Sequence, residues 1–218
     1  MKRVLLLLLM GFFSLPLFAS DTKEVTFWRW FQKNEGRLFA FEKDRERTFD
    51  DLAGALKAVH RDLTFEFGPV LPDGRREFVI SAGGIKSAFP AVEALQAAAP
   101  KMEKWIFVQF RSRRVPINDL EFSGKKIRAK DVHYLLFRDD SPGKVGIMIF
   151  MDGYREAERS VFGQMGYLFL DEALGEYDVE MKLGAIEFQA RDSKYFERAH
   201  PLTELPKAFD DYFANRKK

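Results

Sequence analysis

The stretch LTFEFGPVLPDGRREFVISAGG, residues 63–84, decides the fold. Its residues Leu63, Phe65 and Phe67 alternate with more polar neighbours, which is the pattern of a strand with one buried face. A Pro-Asp-Gly turn follows, and then Phe-Val-Ile at 78–80 forms the short apolar run of a strand covered on both faces. The stretch therefore predicts a hairpin whose second strand ends at two glycines.

A helix and a strand are predicted after the hairpin, and the second half of the chain repeats the same order of elements. A helix is predicted from about residue 85 to residue 99, where Pro100 stops it, and a strand over 105–110. The second half repeats this order, with strands at 134–137 and 145–151, a helix at 155–174 and a strand at 178–189. In that last strand the apolar positions change parity near Gly184, which predicts a bulge or a bend.

The two halves share a fixed offset. Gly74 and Gly143 are 69 residues apart, and so are Gly84 and Gly153. Chance alignment of two common patterns is the alternative, but matching glycines at both breaks favour a structural repeat. We interpret the chain as an α+β protein with two tandem β-β-α-β units, which form an antiparallel or mixed sheet with helices packed on one face, preceded by N-terminal helices. One continuous sheet and two separate sheets both remain open.

This interpretation divides the chain into six segments. They are a signal peptide at 1–19, N-terminal helices at 21–62, a first unit at 63–114, a linker at 115–131, a second unit at 132–190, and a C-terminal helix and tail at 191–218.

The first twenty residues have the order of a signal peptide. Lys2 and Arg3 precede an apolar run that ends with small residues, and charge returns at Asp21. An uncleaved membrane anchor is the alternative, but the apolar run falls short of the roughly 20 residues that span a bilayer. We predict cleavage after Ala19 or Ser20, and an exported bacterial protein, periplasmic or secreted, whose mature part has no transmembrane segment.

Composition narrows the class of function. The chain holds 35 basic and 33 acidic residues, and removal of Lys2 and Arg3 with the leader makes the two numbers equal. A dedicated nucleic-acid binder carries a strong basic excess, so that class is excluded. The chain has no Cys, which leaves it without disulfides and fits a bacterial envelope protein.

Three longer stretches of the sequence resemble a group of other proteins. They are DLTFEFGPV at 62–70, REFVISAGGIKSAFPAVEALQAAAP at 76–100 and FGQMGYLFLDEALGEYDVE at 162–180. They resemble a group of uncharacterised exported bacterial proteins over about residues 28–188. The resemblance implies a bacterial source and a domain of unknown function, and it implies no activity, ligand or catalytic residue.

The residues with catalytic or metal-binding chemistry are sparse. There is no Cys nucleophile, and the three histidines stand far apart in the sequence. Zinc sites use closely spaced His and Cys, so we predict no metal and no cofactor, and we assign no catalytic residue.

The loop after the first hairpin is one candidate binding site. Gly83 and Gly84 lie between a strand and a helix, where backbone N–H groups are able to bind an anion. A tight turn that needs glycine is the alternative interpretation.

An acidic group at the end of the long predicted helix is a second candidate. Asp171, Glu172, Glu176 and Asp178 place four carboxylates within eight residues. They are suited to a cation or a basic partner, and a solvated turn is the alternative.

The first helix supplies a third candidate. Asn34 falls within its apolar stripe and Glu35 borders that stripe, so these polar groups need partners or solvent. One interpretation is a pocket floor with Trp28 and Trp30 as aromatic walls. The other is a break of the helix at Gly36 that turns both polar residues outward.

Basic residues of the connection between the units are suited to phosphate or anionic lipid. They are Arg111, Arg113, Arg114, Lys125, Lys126, Arg128 and Lys130. A solvated connection is the alternative.

These observations favour an exported, soluble, non-catalytic module that binds an unknown protein or small-molecule ligand of the cell envelope. A groove between the two units is the expected site. One alternative is a carboxylate-dependent hydrolase that uses Glu172 or Asp178. The other is an anion or membrane-surface binder that uses the basic connection.

Overall fold

The computed structural model describes residues 21–215. The predicted signal peptide therefore lies outside the described residues. Within them, no helix combines the length and the apolar character needed to cross a membrane.

Three helices open the described chain, so the predicted N-terminal helices are present. They are α1 (Lys23–Lys33), α2 (Glu35–Phe39) and α3 (Arg45–Val59). Thr22 caps the N-terminus of α1, and its hydroxyl accepts a hydrogen bond from the N–H of Val25. Buried residues of α1 and α3 face the first sheet.

The first unit is a three-stranded mixed sheet with one α-helix. Its elements are β1 (Thr64–Val70), β2 (Arg76–Ser81), α4 (Phe89–Ala97) and β3 (Trp105–Gln109). The strand β1 pairs antiparallel with β2, and β2 pairs parallel with β3. The helix α4 makes the crossover that a parallel pair requires.

The second unit follows a small hairpin and is built in the same way. The hairpin consists of β4 (Leu120–Phe122) and β5 (Lys125–Ile127). The unit comprises β6 (His133–Arg138), β7 (Val145–Phe150), α5 (Arg159–Leu174), α6 (Glu176–Lys182), β8 (Leu183–Gln189), β9 (His200–Pro201) and α7 (Leu205–Asn215). Its sheet has the order β8-β7-β6-β9, in which only the β7–β8 pair is parallel.

The α+β fold with two tandem β-β-α-β units is confirmed, and each unit has a sheet of its own. Phe65 lies opposite Ile80 in the first hairpin, and Tyr134 lies opposite Ile149 at the same offset in the second. The glycines at both shared breaks have positive φ, between 73° and 81°. Glycine adopts this left-handed conformation without steric cost, which explains why the same residue recurs at both turns.

The structure corrects the predicted strand at 178–189. Residues 176–182 form α6, and β8 begins at Leu183. Gly175 ends α5 with a φ of 81°, and the chain then enters a second helix that buries Glu176 and Val179. The bulge near Gly184 is confirmed, because the β7–β8 register shifts by one residue there.

The predicted linker at 115–131 is not a plain connection. It contains the β4–β5 hairpin, which buries Ile127 in the core of the second unit. Each strand of this hairpin has only three residues, and few of them are apolar, so the hydrophobic pattern gives no clear strand signal.

Each unit has its own hydrophobic core. The first core is rich in aromatic rings, with Phe31 and Phe78 fully buried. The second core is mainly aliphatic around Ile147 and Ile149, with Phe169 against them. Because the apolar residues of each unit are buried in its own core, the contact between the units does not need to be apolar.

Candidate functional site

Two of the candidate sites meet at the contact between the units. The carboxylate of Glu176 is fully buried and accepts hydrogen bonds from three backbone N–H groups. The donors are Ala82 at 2.9 Å, Gly84 at 3.1 Å and Arg111 at 3.2 Å. Glu176 comes from the second unit and all three donors come from the first unit and the chain that leaves it.

This contact accounts for the glycine loop. Gly83 and Gly84 both have positive φ, which turns the chain so that backbone N–H groups converge. The anion that they bind is a carboxylate of the same chain. The N–H groups of Ala82 and Gly84 already donate to Glu176 and are therefore not available to a free anion.

The side chain of Arg111 lies at the centre of the same contact. Its guanidinium is 3.2 Å from the Asp171 carboxylate, 3.6 Å from Glu176 and 3.7 Å from Glu66. Arg114 continues the network, at 3.1 Å from Glu66. The acidic group and the basic connection therefore neutralise one another in part.

The other two acids of the group are also engaged. Asp178 is 2.9 Å from Arg113, which donates a further hydrogen bond to the carbonyl of Leu174. Glu172 accepts hydrogen bonds from the backbone N–H of Asn118 at 2.7 Å and from its side-chain amide at 3.0 Å. These carboxylates hold the contact together.

Little space remains between the units. The cavity there measures about 70 Å³ and is bordered by Glu66, Arg111, Ser112, Arg114, Leu120, Leu168, Asp171 and Glu172. Ligand sites occupy roughly 300–1,000 Å³, so this space accommodates water rather than a substrate. The expected groove between the units is thus a packed, charged joint, which we call the junction.

The acidity of Asp171 is perturbed by its place in the junction. Burial raises the pKa of its carboxyl to about 6, and the neighbouring Glu176, Glu180 and Glu66 carboxylates add to this, while Arg111 opposes it. A raised pKa marks a carboxylate held where its charge is unfavourable.

The residues singled out on the first helix do not share a pocket. Trp28 is buried and its indole N–H donates to the carbonyl of Leu95 at 2.8 Å. Trp30 is half-buried and borders a shallow apolar groove of about 300 Å³ between α1 and α3. The helix breaks at Asn34, whose side-chain amide donates to the carbonyl of Trp30 at 2.8 Å, and Glu35 begins α2.

A larger opening lies at the edge of the second sheet. A groove of about 600 Å³ runs between β6 and α7. It is bordered by Tyr134, Leu135, Leu136, His200, Thr203, Glu204, Lys207, Ala208 and Asp211. Its volume falls within the range of ligand sites.

The backbone of β6 is incompletely paired beside this groove. The strand β9 covers only His133 and Tyr134. The N–H of Leu202 donates to the carbonyl of Val132 at 2.9 Å, so the backbone groups of Val132 point to the β9 side. Because these directions alternate along a strand, the N–H and C=O groups of Leu136 and Arg138 point to the same open side. Within residues 21–215 no group bonds to them there.

Two of the other sheet edges carry features that discourage pairing. The edge strand β1 contains Pro69 and a register irregularity between Phe67 and Val70. The edge strand β8 contains the bulge near Gly184. Prolines and bulges are the usual protection of exposed edges. The strand β6 has neither, and its register with β7 is continuous from His133 to Arg138.

Comparison with known proteins adds no family to this description. No protein-family model, curated protein or solved structure matches the chain. The geometry of the chain itself carries the functional argument.

The β6 edge was not among the residues singled out from the sequence. The pattern of residues 133–138 indicates a strand but not its place at the edge of a sheet. The short β9, with Pro201 among its two residues, is the one local feature that points to a truncated partner.

Proposed function

We propose that the protein is a non-catalytic binding module that takes up an extended peptide segment as an added strand along β6. The open backbone edge of β6 beside the groove is the observation that carries this proposal. Strand addition to an exposed sheet edge is a general mode of peptide recognition, in which main-chain hydrogen bonds supply affinity.

The free groups define where the ligand pairs. An added strand lies collinear with β9 and exchanges hydrogen bonds with Leu136 and Arg138. The existing pair of β9 with Tyr134 supplies the template for the direction and spacing of these bonds. The ligand thus lengthens a strand pairing that the fold has already begun.

The groove defines which side chains the ligand carries. Every second residue of an added strand faces the Tyr134, Leu136 and Ala208 wall, which is mainly apolar. The rim pairs Lys207 with Asp211 at 2.6 Å. The ligand class is therefore an extended peptide with apolar residues at alternate positions and no strong net charge.

The engaged charges weigh against the two alternative functions. A carboxylate-dependent hydrolase needs free acids, and Glu172 is bonded to Asn118 while Asp178 is paired with Arg113. An anion or membrane-surface binder needs free cations, and Arg111 is occupied in the junction. The leader-like first residues support export, so the proposed partner is a protein of the cell envelope.

Replacement of one edge residue tests the proposal. Arg138→Pro removes an N–H that faces the open side, and proline is tolerated at such a position of an edge strand. Arg138→Ala keeps the N–H and serves as the matched control. Peptides selected on the wild-type protein from an unbiased decapeptide library are expected to bind Arg138→Pro about 10-fold more weakly, since the variant loses one hydrogen bond and gains a steric block.

The contradicting results are defined by the same pair of variants. The proposal fails if the library yields no binder, or if selected peptides bind both variants with equal dissociation constants by calorimetry. Equal thermal stability of the two variants shows that any difference arises at the edge and not from unfolding.

A further inference from the structure

The junction between the two units holds more carboxylates than cations. The guanidinium of Arg111 lies less than 4 Å from three of them, which belong to Glu66, Asp171 and Glu176. The single positive charge of Arg111 is therefore shared among three negatively charged side chains. These carboxylates come from β1, α5 and α6, so the imbalance spans both units.

The second cation of the junction does not restore the balance. Arg114 is shared between Glu66 at 3.1 Å and Glu172 at 3.8 Å, and half of its side chain is exposed. Glu180 of α6 adds a further carboxylate within the electrostatic reach of Asp171. Glu66 of β1 and Glu176 and Glu180 of α6 thus present acids to Asp171, and Arg111 presents a cation.

Asp171 is the acid best placed to relieve this crowding. Its side chain is 14% exposed and borders the small cavity between the units. Among the residues that the structure describes, Arg111 is its one cationic neighbour within 4 Å. Glu176 accepts hydrogen bonds from three backbone N–H groups, whereas the Asp171 carboxylate has, within residues 21–215, the Arg111 pair alone.

We propose that the junction is a clamp that tightens in mildly acidic solution, because a proton on Asp171 removes one of the negative charges crowded around Arg111. The clamp joins the first unit to the second through the Glu176 carboxylate. It is separate from the β6 edge and does not depend on peptide binding.

The direction follows from the raised pKa of Asp171. The carboxyl has a pKa of about 6 in the folded protein, against an ordinary value of 3.8 for an aspartate. We take the ordinary value for the open junction, in which water reaches the carboxyl. The closed form therefore binds a proton more tightly than the open form. Closure is most favoured below about pH 4. It becomes weaker as the pH rises from about 4 to about 6.

Backbone amides report directly on the clamp. The N–H groups of Gly84 and Arg111 are bonded to Glu176 and exchange with solvent when the junction opens. Their hydrogen-exchange protection factors, which are corrected for the intrinsic rate at each pH, are expected to fall roughly 10-fold between pH 5 and pH 7.5.

Two aspartate variants assign this effect. Asp171→Asn is expected to reduce the change to less than about 3-fold, the remainder arising from Glu180, whose pKa burial also raises. Asp211→Asn removes an exposed aspartate of α7 and is expected to keep the wild-type change.

The outcomes that overturn the clamp are equally direct. Identical pH dependence in wild-type protein and Asp171→Asn overturns it, and so does stronger protection at pH 7.5 than at pH 5. If Asp171→Asn does not fold, a carboxyl-carbon NMR titration of the wild-type protein decides. A midpoint for Asp171 near 6 supports the clamp, and a midpoint at or below 4 overturns it.

Discussion

Glu176→Ala is expected to lower the free energy of unfolding by about 3–5 kcal/mol, as is typical when one partner of a buried charged pair is removed. The substitution leaves the N–H groups of Ala82, Gly84 and Arg111 without their common acceptor in a buried site. It also leaves the Arg111 guanidinium with two carboxylates in place of three. Chemical denaturation at pH 7 measures the loss.

Two further variants separate the buried contact from charge in general. Glu176→Gln keeps the shape and one acceptor oxygen, so its expected loss is smaller, about 1–3 kcal/mol. Asp211→Ala breaks an exposed pair with Lys207 and is expected to change stability by less than about 0.5 kcal/mol. If Glu176→Ala and Asp211→Ala lose the same small amount, the carboxylate does not join the units.

Phe78→Ala is expected to cost about 3–5 kcal/mol, which is typical for truncation of a fully buried phenylalanine. Phe78 lies on the central strand of the first sheet and is fully buried. Its ring centroid lies within 6.5 Å of seven other aromatic rings, those of Phe27, Trp28, Phe31, Phe65, Phe67, Trp105 and Phe107. Loss of the ring therefore opens a cavity among large, rigid side chains that fill it poorly.

The matched control is another phenylalanine on a strand. Phe122 lies on β4 with 36% of its surface exposed, and Phe122→Ala is expected to cost less than about 1 kcal/mol. Equal losses for the two variants in denaturant titrations would contradict the placement of Phe78 at the centre of the first core.

Local patterns in the sequence predict much of the fold. The alternation around Phe65 and Phe67, the turn glycines and the returning order of elements are all short-range features, and each unit has the predicted topology. The helix α6 was missed because Val179, Met181 and Leu183 alternate as a strand does. What decides the helix there is burial of Glu176 against the first unit, which is a long-range contact.

The candidate sites depended on pairings that local patterns do not contain. Arg111 and Glu176 are 65 residues apart, and each taken alone fits a solvated surface. The sequence supplied the chemistry of both groups but not their contact. The open edge of β6 is likewise a result of topology, since β9 spans only two residues and pairs only with His133 and Tyr134.

Hydrogen exchange along β6, with and without a peptide selected from the decapeptide library, tests the binding proposal most directly. The amides of Leu136 and Arg138 face the open side, and those of Leu135 and Phe137 face β7. Bound peptide is expected to raise protection at Leu136 and Arg138 and to leave Leu135 and Phe137 unchanged. Protection that appears at other elements, with none gained at Leu136 and Arg138, would contradict strand addition at this edge.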